Sequence, residues 1–217
     1  MEQLFIQERL LAVESLDNDS RIYSEHKSEY ELTEEKTLIK YLIAMGKKPA
    51  ENFLPASVLI PLVRNKKNGH WDIILTRRAK HLKHHPGEIS FPGGRFETSD
   101  LDLQTTAIRE TQEEIGIQKD QINIIGRLPQ QNTISQYRVT PYVGIIDQNY
   151  KINIDRNEVD EVFLIPLVFA LNRANQEKVT QINNKQSYSY YVIKYNKYNI
   201  WGATARMLVN LSHRLST

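Results

Sequence analysis

The stretch Ile74–Ile117, ILTRRAKHLKHHPGEISFPGGRFETSDLDLQTTAIRETQEEIGI, decides how the rest of the chain is read. In its second half Ala107, Ile108, Thr111 and Ile115 recur at helical spacing and form one core-facing stripe. Glu110, Glu113 and Glu114 stand three and four residues apart, which predicts three carboxylates on one side of that helix. Like charges at such spacings cost about 0.2–0.5 kcal/mol per pair. Arg109 reaches only part of the cluster. A hard divalent cation held by carboxylate oxygens would neutralise the rest, and such ions also carry substrate phosphates. Acidic triplets on helices are mostly solvated faces. Here the surroundings favour chemistry: a Pro92-Gly93-Gly94 turn lies upstream, an arginine directly precedes the acids, and Gly116 closes the helix.

Outward from the helix, Glu88 to Phe91 reads as a strand running into Pro92-Gly93-Gly94. Glycines there allow close backbone approach to a ligand, and a freed Gly93 carbonyl is a further candidate oxygen for a metal. Asp100 or Asp102 is the expected helix cap, and Gly116 the left-handed residue at the other end. Arg77, Arg78, Lys80 and Lys83, with His81, His84 and His85, form a basic segment just before. Alone it is as easily a solvated loop; beside a metal-diphosphate site its cations would grip phosphates. The histidines without a nearby cysteine are a weak zinc signal, and the carboxylates favour magnesium or manganese.

These residues resemble the Nudix box, Gly-x5-Glu-x7-Arg-Glu-U-x-Glu-Glu-x-Gly-U, where U is a bulky aliphatic residue. Gly94, Arg109, Glu110, Glu113, Glu114, Gly116 and Ile117 match it. Thr111 stands where an aliphatic is usual, and the early acid fails strict counting, since the two ends of the motif point to Asp100 and to Leu101. A one-residue expansion of the loop, with Asp100 or Glu97 in that role, reconciles the counts. Upstream, Leu75-Thr76-Arg77-Arg78-Ala79, His81-Leu82, His84, Gly87 and Ile89 to Gly94 resemble the extension found in coenzyme A pyrophosphatases of this superfamily. Asn157-Glu158-Val159 with Val162 to Leu167, and Ile200 to Ala205, are similar to the same group, so the likeness spans residues 55–210.

The resemblance implies an α/β fold, a Nudix-type α/β/α sandwich whose mixed β-sheet lies between the box helix and the C-terminal helix. It implies hydrolysis of the diphosphate of coenzyme A, giving 3′,5′-ADP and 4′-phosphopantetheine or its acyl form. Glu110 and Glu114 would be direct Mg2+ or Mn2+ ligands, with Glu113 sharing the ion or binding it through water. Arg109 would orient the acids, with Gly93 and Gly94 supporting the site. Arg78, Arg77 and Lys83 would contact phosphates, and Glu158 would complete the metal shell or act as general base. Rival readings are a Nudix hydrolase of another nucleoside diphosphate derivative such as ADP-ribose or a dinucleotide, a nucleotide or acyl-coenzyme A sensor, and a purely structural interaction domain.

With 217 residues, a formal charge of +2 and 40% hydrophobic content, the chain can bury a sizeable core. It contains no cysteine, which removes disulfides, thiolate zinc sites and a thiol nucleophile. Its near-neutral charge gives no argument for binding a nucleic acid polymer. No apolar run approaches the roughly 20 residues that cross a bilayer. Met1 to Leu11 lacks a basic segment followed by an apolar one, and the ending Leu215-Ser216-Thr217 is not a peroxisomal address, so cytoplasm is expected.

Two parts are expected: a helical N-terminal extension over 1–50, and the Nudix domain over 51–217. In the first, Thr33 caps a helix from Thr37 to Ala44 that packs on the domain or forms a homodimer. Pro55 to Val63 and Trp71 to Arg77, joined through Asn68-Gly69, read as a hairpin. Ile122 to Leu128, Val139 to Ile146 and Glu161 to Pro166 carry strand composition. Leu167 to Asn172 begins a short helix, and Thr204 to Leu215 is an amphipathic one. The tyrosine-rich Gln186 to Tyr198 reads as a hairpin whose aromatics serve a sheet face more readily than an adenine.

Overall fold

A computed structural model describes residues 53–183 and 186–216; the helix expected over Thr37 to Ala44 and the rest of the extension lie outside them. The central sheet is built on β1 (Leu54–Arg64), which pairs antiparallel with β2 (Trp71–Arg78) and parallel with β7 (Tyr137–Ile146). The turn between β1 and β2 closes where expected, with Gly69 N–H donating to the Asn65 carbonyl at 2.8 Å. β3 (Ile89–Ser90) and β8 (Val159–Pro166) flank β2, β4 (Gly93–Arg95) pairs with β1, and β5 (Ile122–Arg127) and β6 (Gln131–Asn132) pair with β7. The sheet is therefore mixed, its parallel β1–β7 register running from Leu54↔Tyr137 to Leu62↔Ile145.

Alternation along β1 divides the core in two. Leu59 and Val63, with Ile74 of β2, face Ala107 and Ile115 of α1 (Leu103–Ile115). Ile60 and Leu62, with Ile73 and Leu75, face Ala205, Leu208 and Leu211 of α3 (Gly202–Ser216). Each of these residues is fully buried or nearly so. The α/β/α sandwich follows directly: a strand apolar on both faces needs a helix on each.

α2 (Leu167–Leu171) continues β8 and buries Leu167 and Ala170. The tyrosine-rich segment makes the expected hairpin, turning between Tyr195 and Tyr198, which pair in register, and it gains a third strand on its other side. Its first arm is β10 (Gln186–Tyr195), the middle strand of a separate three-stranded sheet between β9 (Glu177–Asn183) and β11 (Tyr198–Trp201). Tyr191 and Tyr195 pack on the core, and Tyr198 stacks on Phe163 with centroids 3.6 Å apart, so this sheet is fastened to β8. Among the described residues no helix is long and apolar enough to cross a membrane.

Candidate active site

The box helix is closed at both ends by the residues its sequence offers. Asp102 caps it, its Oδ1 accepting from Thr105 N–H at 2.7 Å. Gly116 ends it at φ 76°, donating to the Gln112 carbonyl, where a Cβ would also meet the Asn153 side chain at 2.7 Å. Thr111, the departure from the aliphatic pattern, is fully buried and satisfies its hydroxyl on the Ala107 carbonyl at 2.7 Å.

Asp100 is the acid that the expanded loop brings back to the helix. Its carboxylate accepts from Arg109 Nε at 2.9 Å and Nη2 at 3.0 Å, from Thr106 Oγ1 at 2.9 Å and from Glu97 N–H at 3.0 Å. Glu97 contributes only its backbone to that cluster. The Arg109 hydrogen bonds hold the Asp100 carboxyl well below the usual range despite its burial, and Asp100 in turn pushes the Arg109 guanidinium up. Arg109 also donates through Nη1 to Glu110 Oε1 at 2.9 Å and Glu113 Oε2 at 2.8 Å, and through Nη2 to the Arg95 carbonyl at 3.1 Å.

A second acidic group lies one turn further along. Carboxylate oxygens of Glu110, Glu114 and Glu158 come within 4.8 Å of one another. Glu158 sits on the turn before β8, and that turn is fastened on two sides. Asp155 N–H donates to the Glu114 carbonyl at 3.0 Å, and Ala79 N–H to the Glu158 carbonyl at 2.8 Å. His81 Nε2 also lies 3.0 Å from the Asn157 carbonyl. Gly94 presses on Glu110, since a Cβ there would meet Oε2 at 2.7 Å, and Gly93 crosses β1 so closely that a Cβ would run into Val58. This close passage is the use of the Pro92-Gly93-Gly94 turn.

Glu114 is only 2% exposed, and its Oε2 is buried with no hydrogen-bond partner. Burial pushes its carboxyl up to about 8, with Glu110 and Glu158 adding to the rise and Arg78 and a Gly93 backbone hydrogen bond opposing it. Burial also raises Glu110, against the pull of Arg109. An orphaned buried oxygen among three converging carboxylates fits a hard divalent cation, whose charge would relieve desolvation and repulsion together.

The remaining expected site residues separate. Glu113, with its side chain 56% exposed, turns to Arg109 and stands outside the three-carboxylate group. Arg77 and Arg78 are divided by a bulge in β2. Arg77 is taken up by Asp160 at 3.1 Å and Glu161 at 2.8 Å, whereas Arg78 acts electrostatically on Glu114. Lys83 is exposed in the loop between β2 and β3. Sequence reading missed the anchoring of the Glu158 turn by Ala79 and His81; its one signal was Asp155-Arg156-Asn157, whose Asp155 Oδ1 accepts from Asn157 N–H at 2.9 Å.

The NUDIX domain model matches residues 53–188. The chain is 37% identical over 157 residues to the Salmonella paratyphi B protein named Uncharacterized Nudix hydrolase NudL, covering 72% of this chain and 80% of that one, and a Salmonella newport protein of the same name aligns equally. Solved structures similar to it include a MutT/nudix family protein from Enterococcus faecalis, with a TM-score of 0.49 and 12% identity over 88% of this chain and 76% of that one. A C. elegans Ap4A hydrolase binary complex has a TM-score of 0.45 and 20% identity over 52% and 80%. The matched domain and the Salmonella relatives establish that the chain belongs to the Nudix family of hydrolases, enzymes acting on nucleoside diphosphate derivatives.

Proposed function

We propose that this hydrolase splits the diphosphate of coenzyme A or its acyl derivatives, releasing 3′,5′-ADP and 4′-phosphopantetheine or its acyl form. The observation that carries the reading is the convergence of Glu110, Glu114 and Glu158 around a partnerless buried oxygen, beside the glycine turn. The choice of coenzyme A rests on the likeness of Leu75 to Gly94 to that subfamily.

Glu110 and Glu114 would hold a Mg2+ or Mn2+ ion, which when bound supplies positive charge to the diphosphate and to the leaving oxyanion. Arg109, itself fixed by Asp100, holds Glu110 in place through its 2.9 Å contact. Glu113 accepts from the same Nη1 at 2.8 Å and so supports the arginine beside Glu110. Arg78, whose charge already bears on Glu114, meets the substrate phosphates, and Lys83 adds charge from the loop. Arg77, neutralised by two acids, shapes the strand rather than gripping phosphate. Glu158 either completes the metal-holding set or accepts the proton of the attacking water. Glu158→Gln separates the two roles: metal affinity falls in the first case and survives with lost turnover in the second.

Incubation with coenzyme A and magnesium, followed by mass spectrometry, should show the two expected products. A strong preference for ADP-ribose over coenzyme A in the same panel would reject the substrate.

A further inference from the structure

Away from the carboxylates, two loops meet through a hydrogen-bonded series that the diphosphate chemistry does not use. His85 Nδ1 lies 2.9 Å from Glu88 Oε2, and His85 Nε2 lies 3.0 Å from Ser135 Oγ, on a turn 50 residues away in sequence. An ionised carboxylate only accepts, so Nδ1 carries the proton toward Glu88, and in the neutral ring Nε2 is the acceptor that faces the serine O–H. This is a hydroxyl, a base and a carboxylate orienter in the order that activates a nucleophile.

Both loops are held in place. His85 adopts φ 54°, left-handed backbone that non-glycine residues seldom enter. Around it, Glu88 N–H donates to the His85 carbonyl at 3.3 Å and Arg78 N–H to the Glu88 carbonyl at 2.9 Å. The serine turn is closed by Gln136 N–H on the Thr133 carbonyl at 3.0 Å, and Leu54 N–H ties it to β1 through the Gln136 carbonyl at 3.0 Å. Gln136, next to the serine, is also left-handed at φ 67°. Ser135 is exposed, and the His85 side chain is 46% exposed, so a carbonyl can reach the hydroxyl from solvent.

We propose that Ser135, His85 and Glu88 form a second reactive centre, which takes the acyl group of an activated carboxylic ester or thioester. Ser135 Oγ attacks the carbonyl carbon as its proton passes to His85 Nε2. The carbon–oxygen or carbon–sulfur bond to the leaving group breaks, and the leaving alcohol or thiol departs with that proton. Water then attacks the acyl-serine, again giving its proton to His85, which returns it to Ser135 Oγ as the carboxylic acid is released. The relay supplies base and orienter, and no donor to the developing oxyanion is assigned, which matches it to good leaving groups and not to amides.

The test uses the full chain with nitrophenyl acetate in the presence of a chelator, following nitrophenolate release and mapping the acetyl group by peptide mass spectrometry. The acetyl group is expected on Ser135, no labelled peptide is expected from S135A, and H85Q should slow release by roughly a hundredfold, the usual contribution of a positioned base. Release from S135A at the wild-type rate, or an acetyl group found only on lysines or on His85, would overturn the proposal. If H85Q melts below the wild type, exposed Ser135 still decides the matter through S135A alone. Because nucleotide hydrolysis needs the divalent ion, ester turnover that survives chelation stands or falls apart from the diphosphatase reading.

Discussion

Two acidic groups share one helix and are treated in opposite ways. Around Arg109, the carboxylates of Asp100, Glu110 and Glu113 are all accepting from one guanidinium, and Asp100 is nearly buried with its charge fully matched. One turn on, Glu114 is more deeply buried and is left with a bare oxygen and two acidic neighbours. Both carboxylates are nearly closed to solvent, Glu114 lying the deeper of the two, and what differs most is whether the protein itself supplies the cation. The paired group is a brace, and the unpaired one holds its strain for a ligand that brings charge.

The largest effect expected is on turnover. Glu114→Gln should lower it by more than about a hundredfold, the loss that even outer partners of metal sites produce. The metal-free variant should melt no lower than the wild type, because the amide replaces a carboxyl whose ionisation burial and its acidic neighbours oppose. Asp100→Ala should do the reverse in kind. Stripping Arg109 of its principal partner should cost on the order of 3 kcal/mol in urea unfolding, with activity reduced through the misplaced Glu110. If Asp100→Ala left stability untouched, the brace reading would be wrong.

Gly94→Ala tests the contact between the turn and the helix. A Cβ there overlaps the Glu110 carboxylate, and displacing that group by about an ångström should cost on the order of a hundredfold in kcat with little change in melting temperature. A normal kcat would show that Glu110 need not sit where it does.

The pH dependence has a defined sign. The Glu114 carboxyl is raised from 4.5 to about 8 in the folded chain, so its contribution to stability is present below 4.5 and is lost as pH rises toward 8. Metal-free protein should therefore melt progressively lower across that window, and Glu114→Gln should flatten the trend. Asp100, held below its ordinary 3.8, contributes in the opposite sense and loses its effect only in stronger acid. Smallest of all, Glu113→Gln should change stability by less than about 0.5 kcal/mol, as its carboxylate is largely in water.

Much of this arrangement was legible in the sequence because it is local. The apolar stripe of the box helix, its glycine stop and the β1–β2 hairpin follow from spacings within a few residues. Asp100 and Asp102 both offered themselves as the cap, and Asp100 and Glu97 as the early acid of the box, because only the folded loop shows which acid turns inward to Arg109. Glu113 and Glu114 are adjacent in sequence but about 100° apart around the helix, which separates an exposed carboxylate from a buried one; spacing alone grouped them. Arg77 and Arg78 were likewise grouped, and a bulge in β2 sends them to different partners. β4 and β6 are too short for any periodicity, and β9 is too polar to stand out before β10 pairs with it.

The central claim is that the group around the bare Glu114 oxygen, which Glu110 joins and Glu113 does not, holds the divalent ion. Mn2+ binding measured by calorimetry on the wild type, Glu113→Gln and Glu114→Gln tests it most directly. The account predicts that the site survives in Glu113→Gln and disappears in Glu114→Gln. Equal affinity in the wild type and Glu114→Gln would contradict it.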